Sequence, residues 1–340
     1  MRRHVLAVAI ATLVIAAGSA PGASAGTRSQ FASAEIATVV SAGLMGPSVA
    51  AFRPNDALTA SELAVLVSSL GGAITVDDPY ASVSLRELDA RLVSLAALRP
   101  AAQSIRLAAI DAGLTPRPWL GTETLARLLG FRINHPREDD ALELEVNDPV
   151  TRAEAAYSVA NYLRLTPSQV ESVRTSASAF SFPVLSEWQR VVLDRALRFV
   201  GSPYVWAGTS EKPQQLFGKT LPGGFDCSGF VWRVYKTKPF AGAPELSRVL
   251  VGRTTYAMSG EVGRAKRVGR EALAPGDVVF FGSNGPRSQP SQVGHMGIYV
   301  GNDWIVHSSR YGTTLTPMTG WYETEFAWGR SPLVEAGLEY

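Results

Sequence analysis

The chain has 340 residues, 46% of them hydrophobic and 18% charged, with 32 basic groups, 30 acidic groups and a single cysteine. Such a composition belongs to a globular protein long enough for two cores. It excludes a disordered polyelectrolyte and a disulfide scaffold, and the net charge of +2 gives no footprint for nucleic acid.

At the N-terminus, Arg2 and Arg3 precede an apolar run over residues 5–17 and then Ala23-Ser24-Ala25. This reads as a secretory signal with an A-x-A cleavage site, residues 1–25, so an exported mature protein beginning near Gly26 is expected. No later run approaches the roughly 20 apolar residues of a membrane span, and no cysteine follows the apolar run to carry a lipid. Without Arg2 and Arg3 the charges balance at 30 and 30, divided unevenly: −4 over residues 26–186 and +4 over residues 187–340. An anionic polymer could prefer the second part, although imbalances this small are usually just solvated surface.

Residues 26–165 carry a recurring local pattern. ALTASEL (57–63), SVSLREL (82–88) and DPVTRAEAA (148–156) each set Ser or Thr three residues before Glu. That spacing lets the hydroxyl accept from the third helical N–H while the carboxylate reaches back to the capping residue, so each marks a helix start. Apolar residues follow at helical intervals, as with Leu63, Leu66, Val67 and Leu70. The first and last units share Asn-Asp-x-apolar-Thr-x-x-Glu-x-Ala, and AGLMG and AIDAGL stand upstream. The arrangement resembles the S-layer homology module, matched by Phe52-Arg53-Pro54 in the first unit and Thr151-Arg152-Ala153-Glu154 in the last. The resemblance implies retention on secondary wall polymers; a plain helical domain with well-capped helices is the other reading. Residues 166–186, rich in Ser, Ala and Pro, are expected to be a linker.

The remainder, residues 187–340, opens with the capping box Ser186 to Gln189. Val192, Leu193, Ala196, Leu197 and Val200 then form one apolar helical face. In GGFDCSGFVWRVY, glycines 223 and 224 turn the chain, Asp226 can cap, and Phe230, Val231, Val234 and Tyr235 give the next apolar face. Cys227 therefore belongs in the first turn of a helix. Unsatisfied N–H groups there favour an anion, which should lower the thiol pKa from about 8.5 towards neutrality. A lone cysteine in an exported chain is either inert, an intermolecular bridge or a nucleophile.

A thiol nucleophile needs an imidazole, and two of the three histidines after the signal, His295 and His307, follow the cysteine in VGHMGIYVGNDWIVHSS. That stretch reads as a hairpin. A three-residue loop, Gly301 to Asp303, pairs Gly297 with His307 and makes the histidines diagonal neighbours on one face, about 7–8 Å apart at the backbone. A two-residue loop would put them on opposite faces. Thiol, base and orienting residue together make an acyl-transfer nucleophile. The competing readings are a zinc site, unsupported by CxxC or HExxH spacing, and two histidines merely packed in a sheet.

GSPYVWAG (201–208), FDCSGFVW (225–232), LAPGDVVFF (273–281), VGHMGIYVG (293–301) and WIVHSS (304–309) together resemble the NlpC-type cysteine peptidases of bacterial peptidoglycan. The resemblance implies an α+β, papain-like catalytic domain, a Cys-bearing helix packed on an antiparallel sheet bearing the histidines, preceded here by a mainly α-helical repeat domain. It implies Cys227 as nucleophile, His295 as general base, His307 as third polar residue, and Tyr204, Asp226 and Ser228 beside a groove for stem peptides. No metal and no cofactor are implied, and no membrane partner once the signal is removed. The expected activity is a secreted, wall-associated endopeptidase that cleaves after D-γ-glutamate, before meso-diaminopimelate or lysine. An amidase or acyltransferase on the same fold, or a non-catalytic peptidoglycan-binding protein, are the alternatives. Ala207 departs from the resemblance, standing where a glycine is common, and so does the long Arg-rich stretch 236–271.

Overall fold

The structure, a computed structural model, describes residues 28–132 and 135–338; the signal expected at residues 1–25 lies outside the described residues. The first half is helical: α1 (Ser33–Ser41), α2 (Ala60–Ser69), α3 (Leu85–Leu95), α4 (Arg99–Asp111), α5 (Leu120–Leu128) and α6 (Arg152–Leu163). The three capping patterns open α2, α3 and α6. The Glu62 and Glu87 carboxylates take the Thr59 and Ser84 N–H groups, whereas Glu154 turns away to the His135 ring and leaves Thr151 to cap alone.

These three helix starts meet. The Leu58 amide donates to the Val150 carbonyl, Val150 to Val83, and Val83 back to Leu58, closing a ring of three hydrogen bonds. The next two amides of each helix also donate to a neighbouring unit: Ala60 and Ser61 to Ala81 and Pro79, Leu85 and Arg86 to Asp148 and Val146, Arg152 and Ala153 to Asp56 and Pro54. Those amides have no intrahelical acceptor, so each unit completes the next. Leu58, Val83 and Val150 are buried at the centre.

The stretch expected as an irregular linker is instead largely helix α7 (Pro167–Ala179). Thr166-Pro-Ser-Gln169 is itself a capping box with proline at the first helical position; the small residues that suggested a linker are here the body of a helix. Residues 180–186 then lead without regular secondary structure to α8 (Glu187–Leu197).

The second half sets α8 and α9 (Cys227–Tyr235) with an antiparallel sheet of β1 (Val278–Gly282), β2 (Val293–Gly301), β3 (Trp304–Ser309), β4 (Gly312–Pro317) and β5 (Phe326–Arg330), in the order β4-β3-β2-β1-β5. The alternation of each strand makes two apolar faces. Phe280, Met296, Ile298, Val306 and Leu315 join the main core with Phe230 and Val234 of α9, while Val279, Phe281, Tyr299, Ile305 and Phe326 form a second cluster.

The two halves share that main core, which runs without a break from Leu58 and Leu125 to Phe225 and Met296. Helix α5 packs against the edge strand β4. Arg127, buried and paired with Glu123, donates through Nη2 to the Gly201 carbonyl at 2.7 Å. The Thr115 amide donates to Asp194 and the Trp206 amide to Asp140, at 2.7 and 2.9 Å. A buried Arg with its acid removed would leave an uncompensated charge, so Arg127 and Glu123 act as one interdomain bolt. Among the described residues no helix is long and apolar enough to cross a membrane.

Candidate active site

Cys227 is the first residue of α9, and Asp226 caps that helix by accepting from the Gly229 amide. The helix approaches its neighbours closely. A Cβ on Gly229 would stand 1.8 Å from the Gly208 carbonyl, and one on Gly208 2.4 Å from that of Gly224. Only glycines allow the α9 N-terminus to approach the Gly208 segment so closely.

The thiol is half-buried. The backbone amides of Ser228 and Met296 reach its sulfur, and the Thr255 hydroxyl lies 3.5 Å away. Burial pushes the Cys227 thiol up to about 11, and the Asp226 carboxylate adds to that rise, outweighing the Thr255 and amide hydrogen bonds that favour the thiolate. This corrects the expectation of a thiol drawn towards neutrality. A helix N-terminus favours an anion by a fraction of the cost of desolvating it.

The hairpin carrying the histidines also differs from expectation. Its loop has two residues, Asn302 and Asp303, both with positive φ (48° and 59°), and Gly301 pairs with Trp304. A register shift between Tyr299 and Gly301 inserts one residue, so Tyr299 faces Ile305 and Ile298 faces Val306. The bulge restores the parity that the loop alone would have lost. His295 and His307 consequently share a face, with His295 Nε2 2.9 Å from His307 Nδ1. His307 Nε2 lies 3.1 Å from Thr316 Oγ1. Gly297 makes room: a Cβ there would stand 2.9 Å from that of His307. Burial lowers His295 to about 4, and burial together with the His295 ring holds His307 well below the ordinary imidazole range.

The structure thus gathers Cys227, His295 and His307, since Met296, whose amide meets the sulfur, is the residue after His295. With Nε2 of His295 facing His307, its other ring nitrogen is Nδ1. Tyr204 lies near Cys227 and Asp226, its hydroxyl pKa raised by burial and by those two groups. Ser228 donates to Asp226 at 2.9 Å and accepts from Arg253 Nη1 at 2.7 Å. Arg253, which also binds the Ala207 carbonyl, and Thr255 were not singled out from the sequence. Both come from the long stretch 236–271, where their only local signal is the Thr254 cap of a short helix.

Residues 201–330 match the NlpC/P60 family. They form an NlpC/P60 family domain. The chain is 31% identical over 123 residues to a murein DD-endopeptidase, MepH, of Escherichia coli, covering 36% of this chain and 37% of that one. It is 33% identical over 113 residues to a gamma-D-glutamyl-L-lysine dipeptidyl-peptidase of Bacillus cereus, covering 33% and 26%. The chain therefore spans little more than a third of the first relative and about a quarter of the second. A solved structure of an NlpC/P60 family protein from Bacillus cereus aligns at 26% identity and a TM-score of 0.33, covering 45% of this chain and 42% of that one.

Proposed function

We propose that this protein is an exported, wall-associated cysteine endopeptidase that hydrolyses an amide bond in peptidoglycan stem peptides, the bond between D-γ-glutamate and the following diamino acid. The observation that carries the reading is the His295–His307 contact beside the amide that meets the Cys227 sulfur, within an NlpC/P60 domain.

The chemistry runs from a neutral thiol and a neutral imidazole. As Cys227 sulfur attacks the scissile carbonyl carbon, its proton passes to His295 Nδ1, and the carbonyl oxygen takes the electron pair as an oxyanion. Collapse of that intermediate breaks the C–N bond, and the imidazolium gives its proton to the departing amine. A thioester remains. Water, deprotonated by His295, attacks it and releases the carboxylic acid and the thiol. His307 accepts from His295 Nε2–H and keeps the ring turned to the sulfur.

The test is digestion of purified peptidoglycan followed by mass spectrometry of the released fragments. The wild type is expected to release fragments ending in D-glutamate, and Cys227→Ser none. Equal release by both would end the proposal, and intact stem peptides beginning with L-alanine would mark an amidase instead. The raised Cys227 thiol favours one second reading, a cleft that holds peptide without cutting it; binding of muropeptides with no fragment from either protein would establish it.

For the first half, the motifs around Thr59 and Thr151 that resemble the S-layer homology module carry the reading, and we propose that it retains the enzyme on a secondary wall polymer. Tethering raises the effective concentration of substrate without altering the catalytic groups.

A further inference from the structure

On the second apolar face of the sheet the histidine pair is enclosed by three rings. Phe281 and Trp321 lie 5.9 Å from the His295 ring, and Tyr322 lies 5.0 Å from His307 and 6.2 Å from His295. Trp321 and Tyr322 belong to α10 (Trp321–Thr324), a single turn between β4 and β5 that begins after Gly320 at φ 58°. So short a helix has little stability of its own. Trp321 is 46% exposed, so its outer face is open to solvent.

What fastens this turn is Arg270, from the long Arg-rich stretch. Its Nε donates to Asp303 at 3.1 Å and its Nη2 to the Met318 carbonyl at 2.9 Å, while Nη1 lies 3.4 Å from the Glu323 carboxylate. Asp303 is in the turn joining the two histidine strands, Met318 follows β4, and Glu323 is on α10 itself. One planar guanidinium with donors in a fixed fork thereby ties three segments in register, which three independent surface ion pairs would do only weakly.

We propose that Arg270 is a positioning residue for the histidine pair: by pinning α10 it holds the Trp321 and Tyr322 rings over the His295–His307 hydrogen bond and keeps water from it. The kinetic part of this inference rests on the proposed endopeptidase reading; the structural part does not.

The experiment uses the full chain with 15N-labelled histidine. In the wild type the imidazole N–H shared by His295 and His307 is expected to exchange slowly with water. In Arg270→Ala it should exchange about tenfold faster, with kcat lowered about tenfold and KM within about twofold of wild type, the split expected when only the transition state loses support. Added guanidinium should restore both, and Arg270→Lys, which cannot span three acceptors, should recover them in part. Asp303→Asn with Glu323→Gln leaves the arginine in place, guards against misfolding of the alanine variant, and should reproduce the faster exchange. Unchanged exchange in both variants overturns the proposal. A rise in KM alone also overturns it, since that would make α10 a substrate wall. Should the wild type cleave no wall fragment, the endopeptidase reading fails, and the exchange rates still decide the role of Arg270.

Discussion

His295 Nε2 and His307 Nδ1 stand 2.9 Å apart, and the far nitrogen of His307 meets Thr316 Oγ1 at 3.1 Å. A base that takes the thiol proton at Nδ1 must carry its own proton on Nε2, so His307 must present a bare Nδ1 and hold its proton towards Thr316. The threonine oxygen can accept that proton, so both contacts fit this tautomer of the two rings. Replacing His295 by Ala should abolish hydrolysis, His307→Ala should slow it about 10²-fold, and Thr316→Val should slow it several-fold. Steady-state rates on a soluble muropeptide check the order; a His307→Ala enzyme as inactive as His295→Ala would remove the division of roles.

The shifts of the two reacting groups set the pH dependence. His295 accepts a proton only when neutral, so activity should be lost as pH falls through about 4. The thiol, pushed up to about 11, remains protonated until that range, so the rate should hold a broad plateau across neutrality. Alkylation by iodoacetamide should likewise be slow at neutral pH and climb towards pH 11. A narrow bell near pH 7 with fast alkylation would show a preformed thiolate–imidazolium pair.

Ala207 occupies a left-handed conformation, φ 62°, which costs an L-residue about 1 kcal/mol. Its carbonyl holds Arg253. Ala207→Gly should stabilise the protein by up to about 1 kcal/mol, less the entropy glycine adds to the unfolded chain. Denaturant titration measures it. A loss of stability would mean that the alanine methyl is packed more favourably than its backbone is strained.

The first half reaches the cleft through Arg137, whose guanidinium lies 5.2 Å from the Trp206 ring and 4.7 Å from Phe217, and through Asp140 on the Trp206 amide. Burial pushes the Asp140 carboxyl up to about 6. Because these contacts brace the segment between Tyr204 and Phe217, Arg137→Ala with Asp140→Ala should raise KM for soluble muropeptides about threefold. A gain in activity would instead mark the first half as a mask over the cleft.

Separating the halves should be costly. A fragment of residues 187–340 would uncover the β4 edge and the polar groups met by Arg127, and an open sheet edge invites self-association. Gel filtration should find it oligomeric or aggregated, and it should fail to sediment with wall sacculi if the first half is the anchor. A monodisperse fragment that still binds sacculi would refute both expectations.

Local chemistry was legible from the residues alone. The Thr59, Ser84 and Ser186 capping boxes, the Asp226 cap and the placement of Cys227 at a helix start depend only on neighbours three positions away. The five ordered motifs carried the NlpC resemblance for the same reason: each is a short backbone geometry with its glycines in place. Thr166-Pro-Ser-Gln169 is equally local, but the Ser- and Ala-rich residues after it suggest a linker where the structure has a helix body.

What only the tertiary structure decided was everything set by contacts far apart in the chain. The face shared by His295 and His307 depends on a bulge at Val300 that no pattern in the hairpin announces. The thiol pKa depends on how deeply α9 is buried, and burial belongs to the whole fold. Arg253, Thr255 and Arg270 looked like members of an exposed basic stretch, since a charged residue's partners are chosen by packing rather than by its sequence neighbours. The three helix starts lie between 25 and 92 residues apart, and their closure into one hydrogen-bonded ring follows from unsatisfied amides finding acceptors only when all three units have folded together.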